Sequence, residues 1–454
     1  MLEQSALDNR LGALLQTLGA QKDLPGFAVS VRLNDREVFA KGYGTRDPGR
    51  MHPVTQDTLF GVASVTKVLT ATLIMVARKA GLVRLSDPLS RFYPDLDCAR
   101  DGQIRIQHVM SHSAGLPGLP FRHQATRAPT DTNSAPLLTP ADLVAAMDAR
   151  DFDCLGAPGE RVSYSNECFC LLGGMIETLF ECSFAEAAER FVMRPLGMER
   201  SVIGAPATAA FTDIAVPLQQ KGAGLQACGF WDAPLFDAAG GLVASARDVS
   251  RLIQVLDSSA GVLGADEVRE MMSLRLPVAS RPNSASFYGL GLEITALDAG
   301  HDLMWHTGQR PGISSFVGHV PQSRLSVAFV TNIADAPSAS IGHQIVADVL
   351  GDDLNIEEFG WPFQVVEGEA DAPERFCGAY SSLEIPSLAV QVDDGELMLR
   401  RGANQHPLRF VGPNHGIVGG QTFCFLGSAG PLAPGQQAQS LALDLRILPR
   451  HASA

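Results

Sequence analysis

The sequence predicts an α+β fold, and three observations carry that expectation. Strand-like runs stand at 27–33 and 37–43, three more stand at 303–307, 314–320 and 325–331, and the stretch from 82 to about 260 carries mainly helical signals. Strand pairs at two distant points, with helices between, assemble most simply into one antiparallel sheet flanked by helices and a helical subdomain. Past residue 352 the pattern changes to short β runs at 389–392, 396–399, 406–411, 422–425 and 441–447, with turns such as Asp394-Gly395 between them. That is the pattern of a small β-barrel. At 454 residues the chain is long for a single core, so the expected domains are 1–355 and 356–454.

Taken in order, Leu7, Leu11, Leu14, Leu15 and Leu18 recur at helical spacing and predict an amphipathic N-terminal helix. After Pro25-Gly26, the runs 27–33 and 37–43 meet through Asn34-Asp35 and read as a hairpin. A helix is predicted from Ser64 to about Lys79: the run lacks Gly and Pro, and Gly81 follows as a C-terminal cap. Thr139-Pro140-Ala141-Asp142 and Ser245-Ala246-Arg247-Asp248 are helix starts. Between the helices, the Pro- and Thr-rich stretch 119–140 is long enough for a lid or pocket wall and reads equally well as a disordered insertion. A helix from about Ala339 to Leu350 closes the first unit.

Composition narrows the class. With 46% hydrophobic and 19% charged residues the chain can bury a large core. Thirty-five basic against 49 acidic residues give a net charge of -14, and no basic cluster could follow a phosphate backbone, which excludes nucleic acid as the expected partner. The apolar run 59–77 is long enough for a membrane, but a mid-span lysine costs about 2.5–3.5 kcal/mol and four hydroxyl residues share the run. No membrane span is expected. The start Met1-Leu2-Glu3-Gln4-Ser5 has no secretory pattern, so a cytoplasmic location is expected. The eight cysteines form no framework and read as free thiols.

Ser64-Val65-Thr66-Lys67 carries the chemistry. On a helix, a spacing of three puts the hydroxyl and the amine on one face. An amine in such apolar surroundings loses solvation, its pKa falls, and the neutral form can take a proton from Ser64. An S-x-x-K segment alone is common by chance, and an ordinary buried helix explains it equally well. Two further triplets change the balance: Tyr164-Ser165-Asn166, and His306-Thr307-Gly308 closing the strand 303–307.

The ordered set S-x-x-K, Y-x-N and [KH]-T-G resembles the serine β-lactamase-like superfamily of penicillin-recognising hydrolases. Within it, the chain is similar to the branch of class C β-lactamases, D-aminopeptidases, Streptomyces-type DD-peptidases and related esterases. The segments His108–Pro117, Pro195–Met198, Gly240–Ser245, Tyr288–Gly291 and Pro311-Gly312 extend the resemblance over roughly residues 10–350. The β runs beyond resemble the lipocalin-like barrel of some such peptidases.

The resemblance implies that Ser64 is the nucleophile, forming an acyl-enzyme, with Lys67 as its proton acceptor. It implies that Tyr164, as phenolate or through Lys67, moves the proton to the leaving group. A phenol with a pKa near 10 needs nearby cations, Lys67 and His306 being the candidates, to act as a base near neutrality. Asn166 would hold both Lys67 and a substrate carbonyl, and the strand through His306, Thr307, Gly308, Gln309 and Arg310 would line the cleft and bind substrate. The N–H groups of Ser64 and Gln309 would form the oxyanion hole. The expected activity is metal- and cofactor-independent hydrolysis of small-molecule amides or peptides, plausibly with D-residues; an esterase, an acyl transferase and a non-catalytic binding protein are the alternatives. A homo-oligomer is compatible with it.

Two departures from the pattern matter. His306 stands where the lactamases carry Lys, which counts against efficient β-lactam hydrolysis. Gln309-Arg310 stands where carboxypeptidase-like members carry a Thr that helps bind the substrate carboxylate, a task Arg310 could take over. His108 and His112 are four apart but lack an acidic third ligand, so a structural role is expected. Cys168 and Cys170 sit in an apolar run and read as packing.

Overall fold

The structure is a computed structural model that describes residues 4–49, 51–124, 136–150, 152–222, 224–281, 286–297, 300–351, 372–385, 388–402, 404–419, 421–428 and 430–451. Its central sheet has eight strands. In spatial order they are Arg36–Gly44, Gly26–Leu33, Leu325–Thr331, Ile313–Val320, Asp302–Arg310, Glu293–Ala296, Ser286–Tyr288 and Leu276–Pro277. The early hairpin is stitched to the late strands antiparallel, Phe27 opposite Thr331 and Leu33 opposite Leu325. Asn34 and Asp35 turn it with φ of 50° and 63°, the left-handed pair that a two-residue hairpin requires.

Strand alternation decides what covers each face. Phe27, Val29, Val31, Phe316, Val327 and Phe329 pack against the first helix, Gln4–Gln21, and the helix Ser338–Leu350. Ala28, Val317, Ala328 and Val330 point the other way, into the core shared with the helix Thr66–Lys79 and the helical region. Ser30 faces that side too, where its hydroxyl meets that of Ser250 at 2.9 Å.

The helical region contains Ile106–Met110, Pro140–Asp148, Asn166–Phe180, Phe184–Ala188 and Ala246–Leu252. Thr139 and Ser245 cap their helices as the sequence predicts. Three short strands, Phe60–Gly61, Leu242–Ala244 and Ser201–Ile203, form a small extra sheet that two- and three-residue runs could not announce by periodicity. Of the expected lid at 119–140, residues 125–135 lie outside the described residues; Leu137 N–H donates to the Gln124 carbonyl at 3.0 Å, bringing the two ends together. Among the described residues no single helix is long and apolar enough to cross a membrane.

The C-terminal region forms a nearly closed, barrel-like sheet of nine strands, from Asn404–Pro407 round to Arg409–Phe410, with the short Gly430–Pro431 beside it. Its two end strands are consecutive in sequence. Phe376, Phe410, Phe423 and Phe425 fill its interior. Three expectations are corrected. The run 406–411 is not one strand but is divided between Asn404–Pro407 and Arg409–Phe410, the two ends of the sheet. The run 441–447 is not one strand but a hairpin, Ser440–Leu443 with Arg446–His451, because its turn carries Asp444 at φ 46° and no Gly or Pro to mark it. The strand ending at Thr307 continues to Arg310.

One glycine tests the packing of the terminal helix. A Cβ on Gly342 would lie 2.2 Å from the Phe316 ring. Gly342→Ala is expected to destabilise the fold by about 1–3 kcal/mol through overpacking; an unchanged denaturant midpoint would refute the close approach.

Candidate active site

Ser64 does not sit inside its helix. It occupies a 3-10 turn, Ala63–Val65, that leads into Thr66–Lys79. Ala63 adopts φ 46°, a costly conformation for a side chain with a Cβ, so neighbouring contacts must hold it. They are visible: Thr66 donates to the Ala63 carbonyl at 2.7 Å and accepts from Leu242 N–H at 3.0 Å. The Ser315 hydroxyl donates to the Val62 carbonyl at 2.7 Å, tying the turn to the central sheet.

Lys67 lies in the first helical turn and is fully buried. Its Nζ is 2.9 Å from Asn166 Oδ1, 2.7 Å from the Ala239 carbonyl and 3.3 Å from Ser64 Oγ. All three partners are uncharged. Burial removes water from the ammonium and lowers its pKa to about 7, with Arg310 and Arg446 adding to the fall and Cys170 and Glu167 opposing it. A neutral amine keeps two donors and one lone pair. The two short contacts match the donors, and the longer one is where the lone pair can accept the Ser64 proton.

Tyr164 comes from the loop before Asn166–Phe180, with the Ser64 hydroxyl near enough to lower the pKa of its phenol. Lys67 Nζ lies 4.9 Å from its ring centroid. The ring packs against that of His112, tilted by 38°, at 4.2 Å between centroids. Burial raises the phenol's pKa, outweighing the lowering by Ser64 and Arg446. His306 does not help as a cation: burial, with Lys67 nearby, lowers its pKa to about 3, so the ring is neutral. Its Nε2 meets the Tyr288 hydroxyl at 3.2 Å. Neutral Lys67 is therefore the better placed acceptor for the Ser64 proton.

The remaining residues of the set divide. A Cβ on Gly308 would lie 2.0 Å from the Val62 carbonyl and 3.0 Å from Ser64 N, so only glycine lets this strand run so close to the Ser64 N–H. Thr307 is half-buried beside it. Gln309 is exposed, and its side-chain amide donates to Asp335 at 2.5 Å, leaving its backbone to the cleft strand. Arg310 stacks on Trp231 at 4.8 Å, in space that the missing side chain of Gly240 leaves open.

His108 and His112 serve backbone donors, Arg105 N–H and Ser165 N–H, each at 3.2 Å. Among the described residues no group of three or more His, Cys, Asp or Glu could hold a metal ion. Cys168 and Cys170 are buried in the core. Sequence reasoning missed the Ala239 carbonyl and two residues of the C-terminal region, Glu384 on a loop and Arg446 at the start of a strand. Arg446 lies 5.1 Å from the Tyr164 ring centroid. A backbone carbonyl leaves no mark in a sequence, and no local pattern ties residue 446 to residue 164.

The geometry predicts how Ser64 reacts with an organophosphonate probe. Below pH 7 Lys67 is protonated and cannot accept, so phosphonylation should rise about tenfold per pH unit and level off above 7. Lys67→Arg, permanently charged, should lose that inflection and react ~10²–10⁴-fold more slowly. A pH-independent wild-type rate from 5 to 9 would exclude Lys67 as the acceptor.

Comparison with known proteins bears on most of the chain. A family model described as Beta-lactamase matches residues 11–350. A β-lactamase of Escherichia coli (strain K12) is 29% identical over 186 residues, 41% of this chain and 45% of that protein. A D-aminopeptidase of Gluconobacter oxydans (strain 621H) is 27% identical over 357 residues, 75% of this chain and 62% of that protein. Both matches thus span less than two thirds of the relative. The octameric penicillin-binding protein homologue from Pyrococcus abyssi superposes with a TM-score of 0.68 at 22% identity, covering 97% of this chain and 99% of that one. With the family match covering well over half of its residues, the chain belongs to the Beta-lactamase family.

Proposed function

We propose that the protein is a serine hydrolase that works through an acyl-enzyme on small amide or peptide substrates, with a preference for D-residues. The observation that carries the reading is the buried, uncharged setting of Lys67 Nζ, 3.3 Å from Ser64 Oγ. A serine hydroxyl is a weak nucleophile until a base takes its proton, and this amine is both near enough and, with a pKa of about 7, basic enough.

In the first step Ser64 Oγ attacks the substrate carbonyl as its proton passes to Lys67, giving a tetrahedral oxyanion. The N–H groups of Ser64 and Gln309 are assigned to that oxygen. The C–N bond then breaks as Lys67 returns the proton, by way of Tyr164, to the leaving amine. Water repeats the sequence on the ester, delivering one proton through the same groups and freeing Ser64. Asn166 keeps Lys67 in place and offers its amide N–H₂ to a substrate carbonyl. Every proton transfer uses side chains of the chain itself.

The D-preference is supported by the relation to a D-aminopeptidase over three quarters of the chain. His306, neutral and bonded to Tyr288 in place of a cleft lysine, speaks for peptides and amides over β-lactams. We assign the hydrolase unit to 1–355 and the barrel-like unit to 356–454, and the octameric state named for the archaeal homologue favours a homo-oligomer.

The test is mass spectrometry and turnover with paired D- and L-aminoacyl amides, peptides and esters. D-amides should be cleaved faster than their L-counterparts, and Ser64→Ala should lose roughly 10⁴-fold or more in kcat. Faster turnover of esters, or acyl transfer to added alcohol, would replace amidase by esterase or transferase; activity undiminished in Ser64→Ala would end the reading.

A further inference from the structure

We propose that the C-terminal sheet is part of the proton-transfer machinery: the hairpin turn 443–446 delivers Arg446 onto Tyr164, and the Arg446–Glu384 pair tunes proton transfer between Lys67 and Tyr164. The role rests on the hydrolase reading above. In it Arg446 is a positioning residue that acts through the other two.

Three contacts clamp the turn to the Tyr164 loop. Tyr164 N–H donates to the Leu445 carbonyl at 2.7 Å, and Ile447 N–H donates to Ser163 Oγ at 3.4 Å. The Arg446 guanidinium stands 5.1 Å from the Tyr164 ring centroid. Leu445 packs beside Val162 and Tyr288, so the turn has an apolar seat as well. A second element fixes the charge. Glu384 accepts from Arg446 Nε and Nη2 at 2.8 and 3.0 Å, the bidentate arrangement that orients a guanidinium plane. Glu384 itself abuts the loop after His112: a Cβ on Gly118 would lie 2.4 Å from its Oε2.

The charges facing Tyr164 and Lys67 are few. His112 and His306 are held neutral by burial. Tyr288 is held protonated by burial. Glu293, across the sheet, is paired with Arg281 at 3.0 Å. Glu167, behind Lys67, accepts from Ser165 Oγ at 3.0 Å, and burial raises its pKa to about 7. Arg310 lowers the Lys67 pKa in the same sense as Arg446. Beside Arg310, which acts on Lys67 but not on Tyr164, stands the pair from the C-terminal region: Arg446 lowers the pKa of both Lys67 and Tyr164, while Glu384 raises that of Tyr164, with Asp444 of the same turn acting on Arg446. Two groups that exchange a proton titrate as a unit. A cation at this place makes that unit release its proton at lower pH.

The test reads the amine directly. In full-length protein carrying ¹³Cε-lysine, the Lys67 resonance should titrate near pH 7, apart from the other lysines. Arg446→Met should move this inflection, and the ascending limb of Ser64 phosphonylation, upward by roughly one unit, slowing phosphonylation at pH 6 about tenfold. Arg446→Lys should restore both. Glu384→Gln should move the limb the opposite way. Circular dichroism and the unfolding midpoint establish that each variant is folded. Coincident titrations in wild type and a folded Arg446→Met, even with a raised KM, would overturn the proposal and leave the guanidinium a substrate contact. A shifted Lys67 titration without labelling of Ser64 would instead sink the hydrolase reading and keep the electrostatic one.

Discussion

The constraint on which the site depends is the burial of one amine among neutral partners. A charged lysine is costly to bury, and the ordinary remedy is a carboxylate beside it. Lys67 instead has an amide oxygen, a backbone carbonyl and a serine hydroxyl. The protein thereby gives up the stability of an ion pair and keeps an amine that is neutral half the time near pH 7. A carboxylate at Asn166 would hold the ammonium charged and remove the acceptor. Here the residue type at one position decides between a structural ion pair and a reactive dyad.

The rest of the fold can be read as what holds that arrangement still. Ala63 accepts a left-handed backbone because Thr66, Leu242 and Ser315 bind its turn from three directions. Gly308 brings a central strand against the same turn, where any side chain would collide with Val62. The sheet is available for this because its late strands are locked to the early hairpin and covered on one face by the helices Gln4–Gln21 and Ser338–Leu350. Rigidity at the reacting atoms comes from elements far from them in sequence.

The C-terminal sheet enters the same logic from outside. Its contacts with the Tyr164 loop run through backbone as well as charge, so a turn near the C-terminus reaches a side chain almost three hundred residues earlier. Desolvation is the largest influence on both Lys67 and Tyr164, and the distant arginine trims what burial has set. Such a division suits tuning: burial depends on the whole core, whereas Arg446 and Glu384, on a hairpin and on a separate loop, are two side chains that can change one at a time.

Much was legible in the residues themselves. The leucine spacing of the first helix, the Asn34-Asp35 turn, the helix caps at Thr139 and Ser245 and the α+β arrangement follow from local periodicity and turn chemistry, which act within a few residues. Ser64 and Lys67 were legible because a spacing of three brings side chains together within one turn, and Tyr164, Asn166 and the strand from His306 because ordered triplets resemble a family. What the residues could not say was decided by approach between segments. The neutral state of His306, the Ala239 carbonyl under Lys67, the passage of the strand through Gly308 to Arg310 and the turn that sets Arg446 on Tyr164 all depend on which surfaces meet. Desolvation and charge act through space, and a chain that pairs residue 164 with residue 446 carries no local mark of having done so.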